Sequence, residues 1–496
     1  MRKFLVLLTL PALLYCTAAP ETRDDSEGRF AATRAAAQAV VDGGTASATV
    51  LFAQRGEVVY EESWGFADVE NQIPATPATP YSLASISKPI TATALMTLVE
   101  EGKVDLDRPA NDYLGEPGLV ANVGDVADAT VRRIANHTAG LPLHYQFFYE
   151  GERTPPVRAV TIERYGQLFS APGERFQYSN MGYGVLDHLV SQVSGLGFAD
   201  FLRQEVFDPL GLADCSMPDG SALEGAAVRY DGAGNPLAHY DFDHPGASAV
   251  YCSARDLAAF GQAQLGFLRA GAEPVLGEAS RAEMIRPTSG TDSRGYGVAW
   301  RVESAPKATR IGHSGGMPGV RTTLILVPEA DATFVVLLNG FGDLQSVSEN
   351  LLHEALPELF DAPQVTGPDE PSSTDEPPAA LPESLAGVWT GTVATPGGEV
   401  SLKLELDESR SSAELEGAES QALENPRLDG QGFFRASFQG TLDVEETGGS
   451  DELLTVGLEL MPDGDRLRGA LVLFPGGDSP RAGALSHWTD LRRAGS

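Results

Sequence analysis

The chain has 496 residues, enough for more than one hydrophobic core, and 42% of them are hydrophobic, as in ordinary globular proteins. Acidic side chains outnumber basic ones by 69 to 35, a formal charge of −34. A surface that negative repels phosphate backbones, which argues against nucleic acid as a partner; otherwise it is a solubilising surface and says nothing about chemistry.

The N-terminus reads as a secretory signal peptide. Met1-Arg2-Lys3 is a short basic start, Phe4–Leu14 is an apolar run too short to span a bilayer, and small residues Thr17–Ala19 precede the charged Glu21–Glu27 stretch. Cleavage after Ala18 makes residues 1–18 the leader and the protein exported, periplasmic or secreted; cleavage after Ala19 would leave Pro20 at the new terminus. Cys16 leaves a lipid-anchored N-terminus as the alternative, although Tyr15 is bulky for the position before a lipidated cysteine. No later segment is apolar and long enough to cross a membrane. Without the leader only Cys215 and Cys252 remain, and they form either one disulfide or two separately buried thiols.

Further along, Ala48–Phe52 and Val58–Tyr60 read as strands joined by a turn at Arg55-Gly56-Glu57. After a proline-rich stretch a helix is expected from Ser85 to Glu101, ended by Gly102, with others at Gly182–Val193, Phe198–Val206 and Ala254–Leu268. Strands are expected at Tyr296–Glu303, Ala308–Gly312, Arg321–Val327 and Thr333–Leu338, then a last helix at Asp343–Leu359. Strands at both ends of a helical middle predict an α/β protein of α+β type, an antiparallel sheet flanked by helices plus an all-helical region. Residues 361–383 are rich in proline and acid and read as a linker. From 384 to 496, period-two alternation at Val400–Leu406, Phe433–Phe438, Leu453–Leu460 and Leu467–Leu473 predicts a small C-terminal antiparallel β-barrel domain.

Three constellations carry candidate chemistry. Ser85-Ile86-Ser87-Lys88 is an S-x-x-K tetrad at a helix start, a spacing that puts both side chains on one face. A serine hydroxyl needs a neighbouring base, and lysine serves once its pKa is depressed. Ser304-Ala305-Pro306-Lys307 has the same spacing without a following helix, so the tetrad alone is weak evidence and the strand–turn–helix setting singles out Ser85. In Tyr178-Ser179-Asn180, the Tyr178 hydroxyl is a candidate proton relay, its pKa lowered by the Lys88 cation, and Asn180 a donor to substrate or a holder of the lysine. Alternatively, Tyr178 packs in the core while Ser179 or Asn180 caps the next helix. Gly312-His313-Ser314-Gly315-Gly316 also matches the G-x-S-x-G nucleophile elbow, which requires a helix to follow; strand-like sequence follows instead, so an edge strand lining the site is the better reading.

These motifs, with Asn136-His137-Thr138-Ala139-Gly140-Leu141-Pro142, Pro172-Gly173-Glu174-Arg175-Phe176-Gln177, Pro209-Leu210-Gly211-Leu212 and Tyr296-Gly297-Val298-Ala299-Trp300, stand in the order found in serine β-lactamases and penicillin-binding proteins. Residues from about 30 to 360, within a catalytic domain expected at 19–360, resemble that superfamily, closest to its class C β-lactamase, D-aminopeptidase, D-alanyl-D-alanine carboxypeptidase and family VIII esterase branch. The resemblance implies catalytic Ser85, Lys88 and Tyr178, substrate contacts at Asn180, His313, Ser314, Gly315 and Gly316, and an oxyanion hole from the Ser85 and Gly316 N–H groups. It implies no metal or cofactor, and a small ester, amide or β-lactam as substrate. Class C β-lactamases carry lysine where this chain has His313; the missing cation shifts weight toward an esterase or D-amino-acid peptidase, with a β-lactamase or a non-turnover penicillin-binding sensor as alternatives. Residues 384–496, through Leu385-Ala386-Gly387-Val388-Trp389, resemble lipocalin-like β-domains. His239-Tyr240-Asp241-Phe242-Asp243-His244 looks metal-like, with His239, Asp241 and Asp243 on one strand face, but lacks a recognised ligand spacing and is expected to be a polar loop. His137 is expected to build a turn, and Trp64 and Trp300 to be core.

Overall fold

The computed structural model describes residues 26–151, 153–218, 220–291, 293–363, 381–407, 410–442, 453–474 and 483–495. The signal peptide, Cys16 and residues 364–380 of the expected linker lie outside them. Among the described residues no helix is long and apolar enough to cross a membrane.

The α+β architecture is the one the sequence predicts. Nine antiparallel strands form the first sheet, in the order Ser289–Gly290, Arg294–Tyr296, Arg301–Ser304, Thr309–Met317, Val320–Val327, Ala332–Leu338, Ser47–Gln54, Glu57–Asp68 and Ile73–Pro74. The strand that comes first in sequence thus pairs with the one that comes last in this sheet, with Val50 opposite Val336 and Leu51 opposite Val335. One face buries Ala48, Val50, Phe52, Phe334 and Val336 under the helices Ala31–Asp42 and Leu344–Ala355. Phe52 and Phe334 stack there at 4.9 Å, and Trp64 is only half-buried beside them. The other face, with Leu51, Leu324, Leu326 and Val335, carries the helix Ala254–Leu265 and then the helical region around Ser87–Glu100.

Departures from the expected elements have local causes. The helix Ala31–Asp42 escapes a periodicity search because its buried positions are the small residues Thr33, Ala37 and Val40. The strand expected at Tyr296–Glu303 is two strands, broken where the chain dives inward: Gly297 N–H donates to Trp300 O (2.8 Å), Ala299 takes φ +69°, and Trp300 is fully buried beside Phe260. The strand expected to stop at Gly312 continues to Met317. The helix expected from Phe198 loosens into a π-turn at Arg203–Phe207.

A second antiparallel sheet follows, in the order Gln421–Ala422, Ser412–Leu415, Gly398–Leu406, Gly387–Thr395, Gly483–Arg493, Arg466–Phe474, Leu454–Asp463, Phe434–Gly440 and Glu424–Leu428. Its two edge strands are separated only by Leu423, so the sheet curls almost into a barrel around buried Trp389, whose Nε1–H donates to Leu385 O (2.9 Å). Gly483 and Ala484 also pair with Gln146 and Tyr145, joining this sheet to the strands Tyr145–Tyr149 and Tyr240–Phe242. Of the two arrangements left open for the cysteines, Cys215 and Cys252 form a disulfide.

Gly261 lets the helix Ala254–Leu265 lie against the sheet, since a Cβ there would sit 2.7 Å from Thr333 Cγ2 and 2.8 Å from Leu326 Cδ2. Gly261→Val is expected to lower the unfolding free energy by about 1–3 kcal/mol through overpacking, read by denaturant melts against wild type.

Candidate active site

Ser85 sits in a 3-10 turn, Ala84–Ile86, that runs directly into the helix Ser87–Glu100. Ala84 holds φ +49°, a left-handed conformation disfavoured for a residue with a Cβ, so the turn is held in place by its surroundings. The strands Thr309–Met317 and Val320–Val327 hold it. Thr322 Oγ1 donates to Leu83 O (2.8 Å), and a Cβ on Gly315 would lie 2.3 Å from that same carbonyl and 2.9 Å from Ala84 Cβ. Only glycine at 315 lets the strand touch the serine turn.

One helical turn on, Lys88 is fully buried. Its Nζ lies 3.1 Å from Ser85 Oγ, 2.7 Å from Asn180 Oδ1 and 3.1 Å from Ala247 O. Burial pushes its pKa well below that of a free lysine, and the positive charge of Arg301 adds to the effect. A neutral amine has two N–H groups and one lone pair. The amide and peptide oxygens accept both hydrogens, which turns the lone pair toward Ser85 Oγ–H.

Asn180 opens the helix Asn180–Ser194, and Ser179 caps it, its Oγ accepting from Gly182 N–H at 3.0 Å. Tyr178 packs its ring 4.9 Å from Lys88 Nζ. Burial raises its pKa, a hydrogen bond to Ser85 opposes this, and the phenol is pushed up to about 12. This corrects the expectation of a lowered tyrosine pKa. That expectation required a charged lysine, and the same burial that shelters the phenol neutralises the amine.

His313 is buried and both ring nitrogens are engaged: Nδ1 at 2.8 Å from Ser314 O and Nε2 at 2.9 Å from the Tyr296 hydroxyl. A carbonyl only accepts, so Nδ1 carries the proton and Tyr296 donates to Nε2. The Tyr296 oxygen in turn accepts from His137 Nε2 (3.3 Å), whose Nδ1 accepts from Ser179 N–H (3.1 Å). Every hydrogen in this chain has one direction, and both imidazoles are neutral in it. Burial above all, with the charge of Arg301 added to it, holds both pKa values well below that of a free histidine. His137 does build a turn, at φ +63°, but it also lies against the Tyr178 ring at 4.4 Å between centroids.

The alternation of the strand Thr309–Met317 separates the remaining candidates. His313 and Gly315 face inward to the serine turn, whereas Ser314 and Gly316 are exposed. Ser314 is followed by the strand Val320–Val327, with no helix of the kind a nucleophile elbow needs. The second tetrad is dispersed, with Lys307 exposed and paired with Asp361 at 2.7 Å.

The metal-like stretch divides. His239 Nδ1 lies against Arg229, while Asp243 and His244 turn inward to meet His144. Asp243 accepts from His144 Nε2 (2.9 Å) and His244 Nδ1 (2.6 Å). Burial raises the Asp243 pKa, but the two imidazoles outweigh it and hold the carboxyl well below its usual range. Among the described residues these three offer possible metal-ligand atoms within 4.8 Å of one another; as placed, both imidazoles donate to the carboxylate. The cluster therefore corrects the expectation of a polar loop: it is a buried clamp on the turn Pro245–Ala247. Gly246 N–H donates to Asp187 Oδ2 (2.8 Å) from that turn, and Ala247 presents its carbonyl to Lys88. Sequence reasoning missed the Ala247 carbonyl, which carries no side-chain signal, and the role of Tyr296, which stood inside a quoted motif.

Known proteins resemble this chain in sequence and fold. Residues 32–357 match the beta-lactamase family model. Penicillin-binding protein 4* of Bacillus subtilis (strain 168) is 26% identical over 357 residues, covering 64% of this chain and 74% of that protein. The crystal structure of SurE with D-Leu aligns with a TM-score of 0.61 at 20% identity, over 94% of this chain and 100% of that one. That of D-amino acid amidase from Ochrobactrum anthropi SV3 complexed with L-phenylalanine amide aligns with a TM-score of 0.53 at 21% identity, over 66% and 98%. At those identities the two structures speak for the fold alone. The family match, spanning both the Ser85 turn and the Thr309–Met317 strand, settles the affiliation: the chain belongs to the beta-lactamase family, a family of hydrolases.

Proposed function

We propose that this protein is an exported serine hydrolase that forms an acyl-enzyme on Ser85, acting as an esterase or D-amino-acid peptidase. The observation that carries the reading is the fully buried Lys88 amine, its Nζ 3.1 Å from Ser85 Oγ and its pKa pushed well below that of a free lysine by burial. Ser85 attacks the substrate carbonyl while its proton moves to Lys88 Nζ. The new ammonium already has Asn180 Oδ1 and Ala247 O as acceptors, so charging it needs no rearrangement. The backbone N–H groups of Ser85 and Gly316 flank the carbonyl and stabilise the oxyanion. Tyr178 gives its phenolic proton to the leaving group and recovers one from Lys88, which returns the amine to neutral. Water then repeats the sequence on the acyl-enzyme and frees Ser85. With its Oδ1 on the lysine, Asn180 has its amide N–H groups left for the substrate.

The neutral, fully engaged His313 supports the esterase or peptidase reading, since it offers no charge where class C β-lactamases have a lysine. Among proteins of this fold, SurE holds D-Leu and another is a D-amino acid amidase, which supports the peptidase side.

Ser85→Ala is expected to abolish fluorophosphonate labelling and turnover of p-nitrophenyl butyrate, whereas Ser314→Ala retains labelling. A single stoichiometric burst from wild type would instead mark a sensor that does not turn over. Lys88→Met should slow acylation roughly 10²- to 10⁴-fold, the range of a general base. Gly315→Ala, which must displace the serine turn, should lower kcat/KM roughly hundredfold in a protein that still folds, checked by circular dichroism.

The pH profile has a predictable sign. Lys88 must be neutral to accept the proton, so kcat/KM rises with pH through its lowered pKa. Tyr178 keeps its proton to about 12, so a plateau should extend to at least pH 10. The histidines, already neutral, add no step near pH 6.5. A bell with a falling limb near pH 8 would contradict this assignment.

A further inference from the structure

Between the helix Arg158–Tyr165 and the second sheet lies a cavity of about 450 Å3, a volume typical of small-molecule sites. One wall is built by Glu163, Arg164, Tyr165, Gln167 and Phe169, the other by the turn at 394–397 with Ser486 and His487. Ser85, Lys88, Tyr178, Asn180 and His313 are not among the residues that line it. It nevertheless borders the layer behind the lysine. The Tyr165 ring lies 4.4 Å from His144 and 6.4 Å from His487 between centroids, and His144 holds the Asp243 carboxylate.

The walls spend their donors within the protein and keep acceptors. Ser486 Oγ–H donates to Leu143 O, Thr395 Oγ1–H donates to Gly398 O at 2.8 Å, and Gln167 Nε2–H reaches Arg164 O at 3.5 Å. His487 is only 3% exposed. Burial holds its pKa at about 4, so the ring is neutral, and the Ala394 backbone accepts its one N–H. That leaves Nε2 as an acceptor, with no hydrogen-bond partner among the described residues. Glu163 is exposed at the rim and makes no ion pair among the described residues, whereas Arg164 already has a partner. A carboxylate and a bare imidazole nitrogen call for a ligand that brings positive charge and N–H groups. Tyr165, Phe169 and Pro396 offer apolar surface to the rest of it.

We infer that this cavity is a second ligand site, separate from the serine site, that takes a small organic amine in its ammonium form. Glu163 supplies the opposite charge, His487 Nε2 accepts an N–H, and the aromatic rings hold the apolar body. The net charge of −34 draws cations toward the protein as a whole, and the cavity selects among them by shape and by these two acceptors. The inference stands apart from the acyl-enzyme reading, since it uses no residue of the serine site.

The test titrates the full chain with 2-phenylethylamine near neutral pH by calorimetry, beside 3-phenylpropionate, which has a similar body and a carboxylate in place of the amine. The amine should bind at one site with a sub-millimolar dissociation constant, and the carboxylate at least roughly tenfold more weakly, as expected when a charge-assisted hydrogen bond is lost. Glu163→Gln and His487→Phe should each weaken the amine roughly tenfold, while Ser85→Ala leaves its affinity unchanged. Thermal melts verify the fold of each variant; if His487→Phe does not fold, Glu163→Gln, a change at an exposed side chain, decides alone. Three results overturn the inference. They are no saturable binding of the amine, equal binding of the carboxylate, and an amine affinity that survives Glu163→Gln or falls with Ser85→Ala, the last placing the amine in the serine site. Turnover of p-nitrophenyl butyrate is read separately, and its absence would sink the acyl-enzyme reading while leaving this site to stand on its own titration.

Discussion

The constraint on which the site depends is a lysine amine buried without an acid. A buried ammonium beside a carboxylate is a stable ion pair and a poor base. Here, among the described residues, the amine hydrogen-bonds only neutral oxygens, those of Ser85, Asn180 and Ala247, so the low-dielectric interior favours its uncharged form. The chain is strongly acidic, and yet among the described residues no carboxylate hydrogen-bonds this atom. Two buried carboxylates do approach the same turn, and both are engaged elsewhere. Asp187 accepts from Gly246 N–H and from Arg158, and Asp243 from two imidazoles. They fix the peptide that faces the lysine without lending it their charge.

The neutrality extends outward. The His137–Tyr296–His313 chain begins at a backbone N–H and ends at a backbone carbonyl, so each imidazole has one donor and one acceptor role, and a second proton on either would meet a donor. Tyr178, resting against His137 and Lys88, keeps its proton in the same surroundings. A neutral base and a neutral acid side by side suit acyl transfer near neutral pH, because neither has to be prepared by a prior ionisation.

What the sequence reveals of this arrangement is what side-chain spacing encodes. Ser85 and Lys88 are one helical turn apart, Tyr178 and Asn180 stand at the start of a helix, and Gly312–Gly316 lies in strand-like sequence that no helix follows. Three kinds of information were out of reach. The sign of the Tyr178 shift depends on which partner is charged, a property of burial and not of spacing. The Ala247 carbonyl belongs to the backbone. His144 lies 99 residues from Asp243, and only the fold shows that Asp243 pairs with it instead of with His239. At the level of the fold, long strands with strong alternation were legible. The helix Ala31–Asp42, with its small buried residues, and the break at Gly297–Trp300, imposed by one tryptophan, were not.

The second sheet is tied to this network by the segment that carries His144. Ser486 Oγ donates to Leu143 O, Ala484 pairs with Tyr145, and Trp488 meets Phe169 edge-on at 5.4 Å. His144, between the first two contacts, holds Asp243, and Asp243 anchors the turn that presents Ala247 to Lys88. On its other flank Arg175, three residues before Tyr178, lies over the Phe433 ring at 4.4 Å. The strand Gly483–Arg493 and the Phe433 region therefore brace, through one intermediate layer each, the two segments that place the base and the phenol. A buried neutral amine is only as useful as the fixity of the oxygens around it, and the second sheet contributes to that fixity without supplying any group that meets the serine.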